Sequence, residues 1–258
     1  CGDYDADGLT STALLVRVLK ELKANPKAYI PSRLKEGYGL NTNMIKEINK
    51  RDIKLIITVD NGVSASRALN YAEDLNIDVI VSDHHKIPTK LSNIYALIHT
   101  ENTPKESPYR YLAGVGLAYV IAKQLSQVLN NDNAMRNSLD YFCIGTVADM
   151  TILKGANRFL LKQGLQNLSK NTSKGLAKLI ENAGLFNKKI TSQDIAFKIA
   201  PRINSIGRIS NPDLIISLML EDNDHKINYY ASCCEELNKK RKEICTSIEK
   251  EVHEILLN

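Results

Sequence analysis

Apolar residues recur at helical spacing through 9–23 (LTSTALLVRVLKELK), which predicts a helix with Thr10 or Ser11 as its cap. YIP at 29–31 is a short strand candidate, and GYGLNTNMIKEINKR passes through a Gly-rich turn into a second helix. KLIITVDNG (54–62) is a β-branched run ending in a turn, as expected of a buried parallel strand. A helix is predicted over 64–76, a second buried strand in DVIVSDHH (78–85), and a third in IYALIHT (94–100).

Strands thus alternate with helices, and the polar residues of each strand sit at its C-terminal end. That pattern predicts an α/β fold with a doubly wound, mostly parallel sheet, in which ligands bind outside the carboxyl ends of the strands. CGDYDADG at the start fits the end of one more strand, whose apolar body would precede residue 1.

From about residue 112 the pattern turns mainly helical. AGVGLAYVIAKQLSQVL is an amphipathic helix entered through glycines, and LDYFCIGTVADM is an apolar helix or strand ending on Asp149. NRFLLKQGLQNLSK and KGLAKLIENAGL predict two further helices, while IAFKIAPRINSIGRI is expected to break at Pro201 into a polar loop. A long charged helix fills the remainder to residue 258. The expected organisation is a catalytic domain over 1–222, with its first strand truncated and its 112–222 part mainly helical. The helix at 223–258 would connect it to a second domain not included in the chain.

Apolar segments end on carboxylate or imidazole at Asp3/Asp5/Asp7, at Asp60, at Asp83-His84-His85 and at Asp149. Taken singly, each has an ordinary reading as a turn or cap residue. If successive strand ends bring them together, that many acids cannot all stay ionised without cations. Carboxylates with imidazole favour Mg²⁺ or Mn²⁺ over soft metals, and an acid shared by two ions suits phosphoester cleavage. A calcium loop of EF-hand type is disfavoured, because Leu14 stands where its terminal Glu belongs.

Composition changes this picture little. A net charge of +5 permits an anionic partner without requiring one. No apolar run reaches membrane-spanning length, and the chain opens on an acidic turn rather than a signal segment. Five cysteines without CxxC spacing fit free thiols in a reducing, cytoplasmic compartment, with Cys143 buried.

GDYDADG, VDNG, SDHH and GTVAD, in that order, resemble the four motifs of the DHH phosphoesterases. RLKEGYGL (33–40), AGVGLAY (113–119) and APRINSIGR (200–208) further resemble stretches of the family's bacterial single-strand-specific DNA exonucleases. The resemblance implies 5′→3′ hydrolysis of single-stranded DNA to 5′-mononucleotides in repair and recombination, with two Mn²⁺ or Mg²⁺ ions. It implies that Asp3 and Asp5 bind one metal and Asp7 the other, that Asp60 bridges both, and that His84 and Asp149 complete the second site.

Asp83 would orient these ligands, and His85 would contact the scissile phosphate and assist the leaving oxygen. Arg202, Asn204 and Arg208 would grip substrate phosphates from a loop, and Arg33 would hold a terminal 5′ phosphate. Tyr38 is a weaker candidate for stacking on a base, packing in a core or turn being preferred. The longer protein implied would add a Gly/His-rich domain and an OB-fold, with single-strand-binding protein and a helicase as partners. Two alternatives stay open: a family member acting on oligoribonucleotides, cyclic dinucleotides or pyrophosphate, and an inactive binding or scaffold module.

Overall fold

The computed structural model describes residues 1–168 and 172–257. Ser169 and Lys170, the end of one predicted helix, and Asn258, the end of another, lie outside the described residues.

The first half alternates as the hydrophobic pattern requires. Helix α1 (Ala6–Glu21) is followed by α2 (Thr42–Lys50), β1 (Leu55–Val59), α3 (Ser66–Asp74), β2 (Asp78–Asp83) and β3 (Ala96–His99). The strands form one parallel sheet in the order β1-β2-β3, with Leu55 opposite Asp78 and Ile80 opposite Ala96. Side chains alternate across it. Ile56, Val79 and Val81 pack with the apolar faces of α2 and α3, whereas Val59 joins the core built on α1 and the later helices.

On the free edge of β1 the backbone of Cys1 makes the two bonds of a parallel bridge, to Ile57 O (2.8 Å) and from Val59 N (2.9 Å). The acidic turn therefore begins at a strand end level with those of β1 and β2. YIP forms no strand: Tyr29 contributes one carbonyl, which accepts from Gly2 N.

The second half is helical: α4 (Gly114–Val128), α5 (Ser138–Ala148), α6 (Gly155–Leu165), α7 (Lys174–Asn182), a single turn α8 (Ser192–Asp194), α9 (Ala200–Ile209), α10 (Asp213–Leu220) and α11 (Asp224–Leu257). The open choice for LDYFCIGTVADM resolves as helix α5, whose Tyr141, Phe142, Cys143 and Ile144 are fully enclosed. An element surrounded by other helices is apolar all round, so periodicity could not type it.

Two further expectations are corrected. Asp5, not Thr10 or Ser11, caps α1: its carboxylate accepts from Asp7 N (3.0 Å) and Gly8 N (3.1 Å). The Thr10 and Ser11 hydroxyls instead donate back to the carbonyls of Ala6 and Asp7, one turn earlier. Nor does Pro201 break the chain into a loop. It stands at the start of α9, directly after a π-turn (Ile195–Ile199) that carries the helix into it, and that widened turn accommodates a residue with no N–H to donate.

Among the described residues no helix is long and apolar enough to cross a membrane. Cys1, Cys143, Cys233, Cys234 and Cys245 are free thiols, with Cys143 buried.

Candidate metal centre

The first turn of α1 and the residues that lead into it are the floor of the site. Asp3 and Asp7 are buried there, with Asp5 between them holding the helix end. Asn204, from α9, accepts the remaining early amide, that of Ala6, at 2.8 Å.

The ends of β1 and β2 supply the next wall. Asp60 follows β1 with φ +62°, a left-handed conformation that Asp tolerates better than most residues and that turns the chain sharply. Its Oδ1 lies 3.0 Å from His84 Nε2. Asp83 ends β2 and is fully engaged: Oδ1 accepts from His84 N, His85 N and His85 Nδ1, and Oδ2 from Val63 N. The Asp-His-His turn is thus wound around the Asp83 carboxylate, which fixes both rings.

Helices α4 and α5 close the site. Gly114 N and Val115 N donate to the two oxygens of Asp7 at 2.7 and 2.8 Å. Asp149, the C-cap of α5, brings Oδ2 within 3.8 Å of His84 Nε2, which is also 3.7 Å from Asp7 Oδ2. His84 is therefore the hub that Asp7, Asp60 and Asp149 surround.

Burial raises the pKa of Asp3, Asp7, Asp60 and Asp149, and repulsion from neighbouring acids adds to it. Asp3 is pushed up to about 7 by burial and then by the charge of Asp5. Asp7 is held well above the carboxylate range by burial, Asp60 and Asp149. Asp60 is raised by burial, Asp5 and Asp149. Asp149 is raised by burial, with His84 opposing. In Asp83 burial also pushes upward, but the bonds from the His85 ring and amide and from Val63 outweigh it and hold the group below its usual value. His85 is raised, chiefly by its hydrogen bond to Asp83.

The donor set fits hard divalent cations. Asp3, Asp5 and Asp60 offer oxygens within 4.8 Å of one another, and so do the ligand atoms of Asp7, His84 and Asp149, and of Asp60, His84 and His85. Asp3 Oδ1 is buried without a hydrogen-bond partner, the state expected of an atom whose partner is an ion. No thiolate belongs to any of these groups.

The expected substrate residues divide. Arg33 is exposed, with its guanidinium 5.5 Å from the Tyr4 ring centroid, and its charge opposes the rise in Asp3. Tyr38 is not in a core: it is 50 % exposed and edge-on to Tyr4 (6.1 Å) and His85 (6.2 Å), forming one rim of the centre. Arg208 is exposed, and its charge is felt at the Tyr4 hydroxyl. Asn204 reaches the floor of the site, but its Oδ1 is taken by Ala6 N. Arg202 points to α11, bound to both oxygens of Glu235 (2.8 and 3.0 Å) and to the carbonyls of Lys198 and Asn182. All three α9 residues lie on a helix, not in the loop expected for them.

Two supporting residues escape sequence reasoning. Asn61 is buried and ties the amide of Leu40 to the carbonyls of Val59 and Cys1. His99, at the end of β3, accepts from Glu101 N on Nδ1, so Nε2 carries the hydrogen that meets His85 O at 2.7 Å. Standing at a strand end beside the others is the signal both share.

Residues 1–146 match the model of the DHH family, N-terminal domain. The chain is 35% identical over 255 residues to the single-stranded-DNA-specific exonuclease RecJ of Bacillus subtilis, covering 99% of this chain and 32% of that protein. It is 34% identical to the RecJ of Escherichia coli K12, covering 94% of this chain and 44% of that one. A crystal structure of exonuclease RecJ bound to manganese superposes with a TM-score of 0.88 at 32% identity, over 97% of this chain and 63% of that one. The chain thus spans less than half the length of both RecJ proteins.

Proposed function

The chain belongs to the DHH family, and on that premise we propose that it is the metal-dependent core of a 5′→3′ exonuclease hydrolysing single-stranded DNA to 5′-mononucleotides, in DNA repair and recombination. One observation carries the reading: acids and imidazoles from four separate segments converge on His84, with Asp3 and Asp5 beside them. Similarity to RecJ proteins over nearly the whole chain supports the substrate class.

In this reading Asp3, Asp5 and Asp60 would hold one divalent ion, and Asp7, Asp60, His84 and Asp149 the other, Mn²⁺ or Mg²⁺. Bound there, such ions would supply an activated water and stabilise charge on the attacking and leaving oxygens of the phosphodiester. Asp83 is a positioning residue: it accepts from His85 Nδ1 and raises the basicity of that ring. His85 Nε2 can then carry a proton and donate to the phosphate or to the departing 3′ oxygen. Arg33, which makes no hydrogen bond or ion pair among the described residues, has its planar fork free for a terminal 5′ phosphate. Arg208 adds positive charge on the same rim, while Arg202 and Asn204 support phosphate binding through the placement of α9.

Residues 1–222 would form the catalytic domain, and 223–258, a segment that includes α11, would lead from it. In a longer protein, single-strand-binding protein and a helicase would be partners. A bacterial cytoplasm suits the free cysteines.

The test compares long single-stranded DNA, dinucleotides and pyrophosphate as substrates with Mn²⁺. Release of 5′-mononucleotides from the 5′ end of single-stranded DNA is expected; hydrolysis of pyrophosphate alone would overturn the proposal.

A further inference from the structure

AGVG (113–116) opens α4 without a reactive side chain, yet its backbone reaches two acids of the metal centre. We infer that this helix N-terminus is a positioning element, which sets the carboxylate plane of Asp7 and the room left for Asp60. It holds the Asp7–His84–Asp149 side of the centre directly and reaches the Asp3–Asp5 side only through Asp60, which both sides share. The inference rests on the metal-centre reading above.

Gly114 N and Val115 N each take one oxygen of Asp7, at 2.7 and 2.8 Å, in a fully buried environment. Two adjacent amides on the two oxygens fix both the position and the rotation of the carboxylate. An ionised carboxylate has about four acceptor sites, so the amides leave capacity for a cation. Asp3 is held less fully, since the Tyr4 amide bonds to it but its Oδ1 is unpartnered, and Asp5 is held by the amides of its own helix.

The glycines explain how α4 comes so close. Gly114 lies outside the left-handed region, so its backbone does not require glycine. Space does: a Cβ there would stand 2.5 Å from Asp60 Cβ and 2.8 Å from Asp60 Oδ1. On the opposite side, a Cβ on Gly145 of α5 would lie 2.8 Å from Asp7 Oδ1. Both helices therefore meet the acids through hydrogen in place of a side chain. Mere capping of α4 by Asp7 would explain the two hydrogen bonds but not the need for room beside Asp60.

The test is Gly114→Ala in the whole chain, read by Mn²⁺ titration under electron paramagnetic resonance without substrate. The unaltered protein should bind two Mn²⁺. The variant should bind at least one of the two about 10- to 100-fold more weakly. Two sites of unchanged affinity in a folded variant would overturn the inference and leave the metal reading intact. No Mn²⁺ bound by the unaltered protein would overturn both. Should the variant not fold, the unaltered protein decides: the Gly114 and Val115 amide resonances should shift on Mg²⁺ addition, and static resonances would refute the assignment.

Discussion

Asp60 shows what one residue gives up for the site. It is buried, left-handed in its backbone, and crowded by the charges of Asp5 and Asp149. Asn tolerates the same backbone conformation and can still accept from His84, but removes the charge. Asp60→Asn is expected to lower hydrolysis by more than about 100-fold. Without metal its melting temperature should rise by about 2–4 °C, the equivalent of roughly 1 kcal/mol in a chain of this size. Undiminished hydrolysis in this variant would remove Asp60 from the mechanism.

Asp140 on α5, away from the metal centre, makes a separate pH prediction. Burial pushes its carboxyl up to about 7 from 3.8, with Arg17 opposing. Between those values the folded chain binds the proton more tightly than the unfolded one, so its contribution to stability is full below 3.8 and is lost as pH rises through 7. Asp140→Asn should therefore be more stable than the parent at pH 8, by on the order of a few kcal/mol, and no more stable near pH 4. Urea unfolding at both values, in chelator, measures the difference, and a pH-independent difference would contradict it.

Among elements, α9 is where the sequence reading and the structure part most usefully. Pro201 reads as a breaker, but its meaning depends on its distance from the helix start, which a preceding π-turn conceals. Once α9 is helical, its faces have different tasks. Asn204 caps the amide of Ala6 on one side, and Arg202 forks onto Glu235 of α11 on the other. Arg202→Ala should cost stability, about 1–3 kcal/mol for a charged hydrogen-bonded pair, by loosening α9 from α11. The substrate KM then changes only as far as α9 moves. A raised KM for DNA with an unchanged melting temperature would instead mean that Arg202 contacts substrate directly.

For the molecule as a whole, the centre is an electrostatic load that its ions relieve. Asp3, Asp7 and Asp60 are buried near one another, and folding alone gives them few opposite charges. Mn²⁺ at one hundred times its dissociation constant should raise the melting temperature by about 5–10 °C, from roughly 2.7 kcal/mol of linkage at a single site. Calorimetry with and without chelator checks this, and Asp60→Asn should show a smaller shift. Equal shifts in the two proteins would place the ions elsewhere.

The parallel strands and their polar ends were legible in the chain because a buried parallel strand must be a short apolar run, and a period of two or 3.6 survives without knowledge of neighbours. The acids were legible too, since DxDxD, Asp60, SDHH and Asp149 each interrupt apolar sequence. What the tertiary structure alone decided is which of these groups share space and what the others are bound to. His84 sits among three acids, Asp83 is consumed in fixing the turn, Arg202 is committed to Glu235, and the backbone of α4 holds Asp7. These facts depend on contacts between residues up to 108 positions apart. Backbone amides leave no mark on a residue pattern, and a left-handed Asp or a glycine kept for room looks like any other until its neighbours are in place.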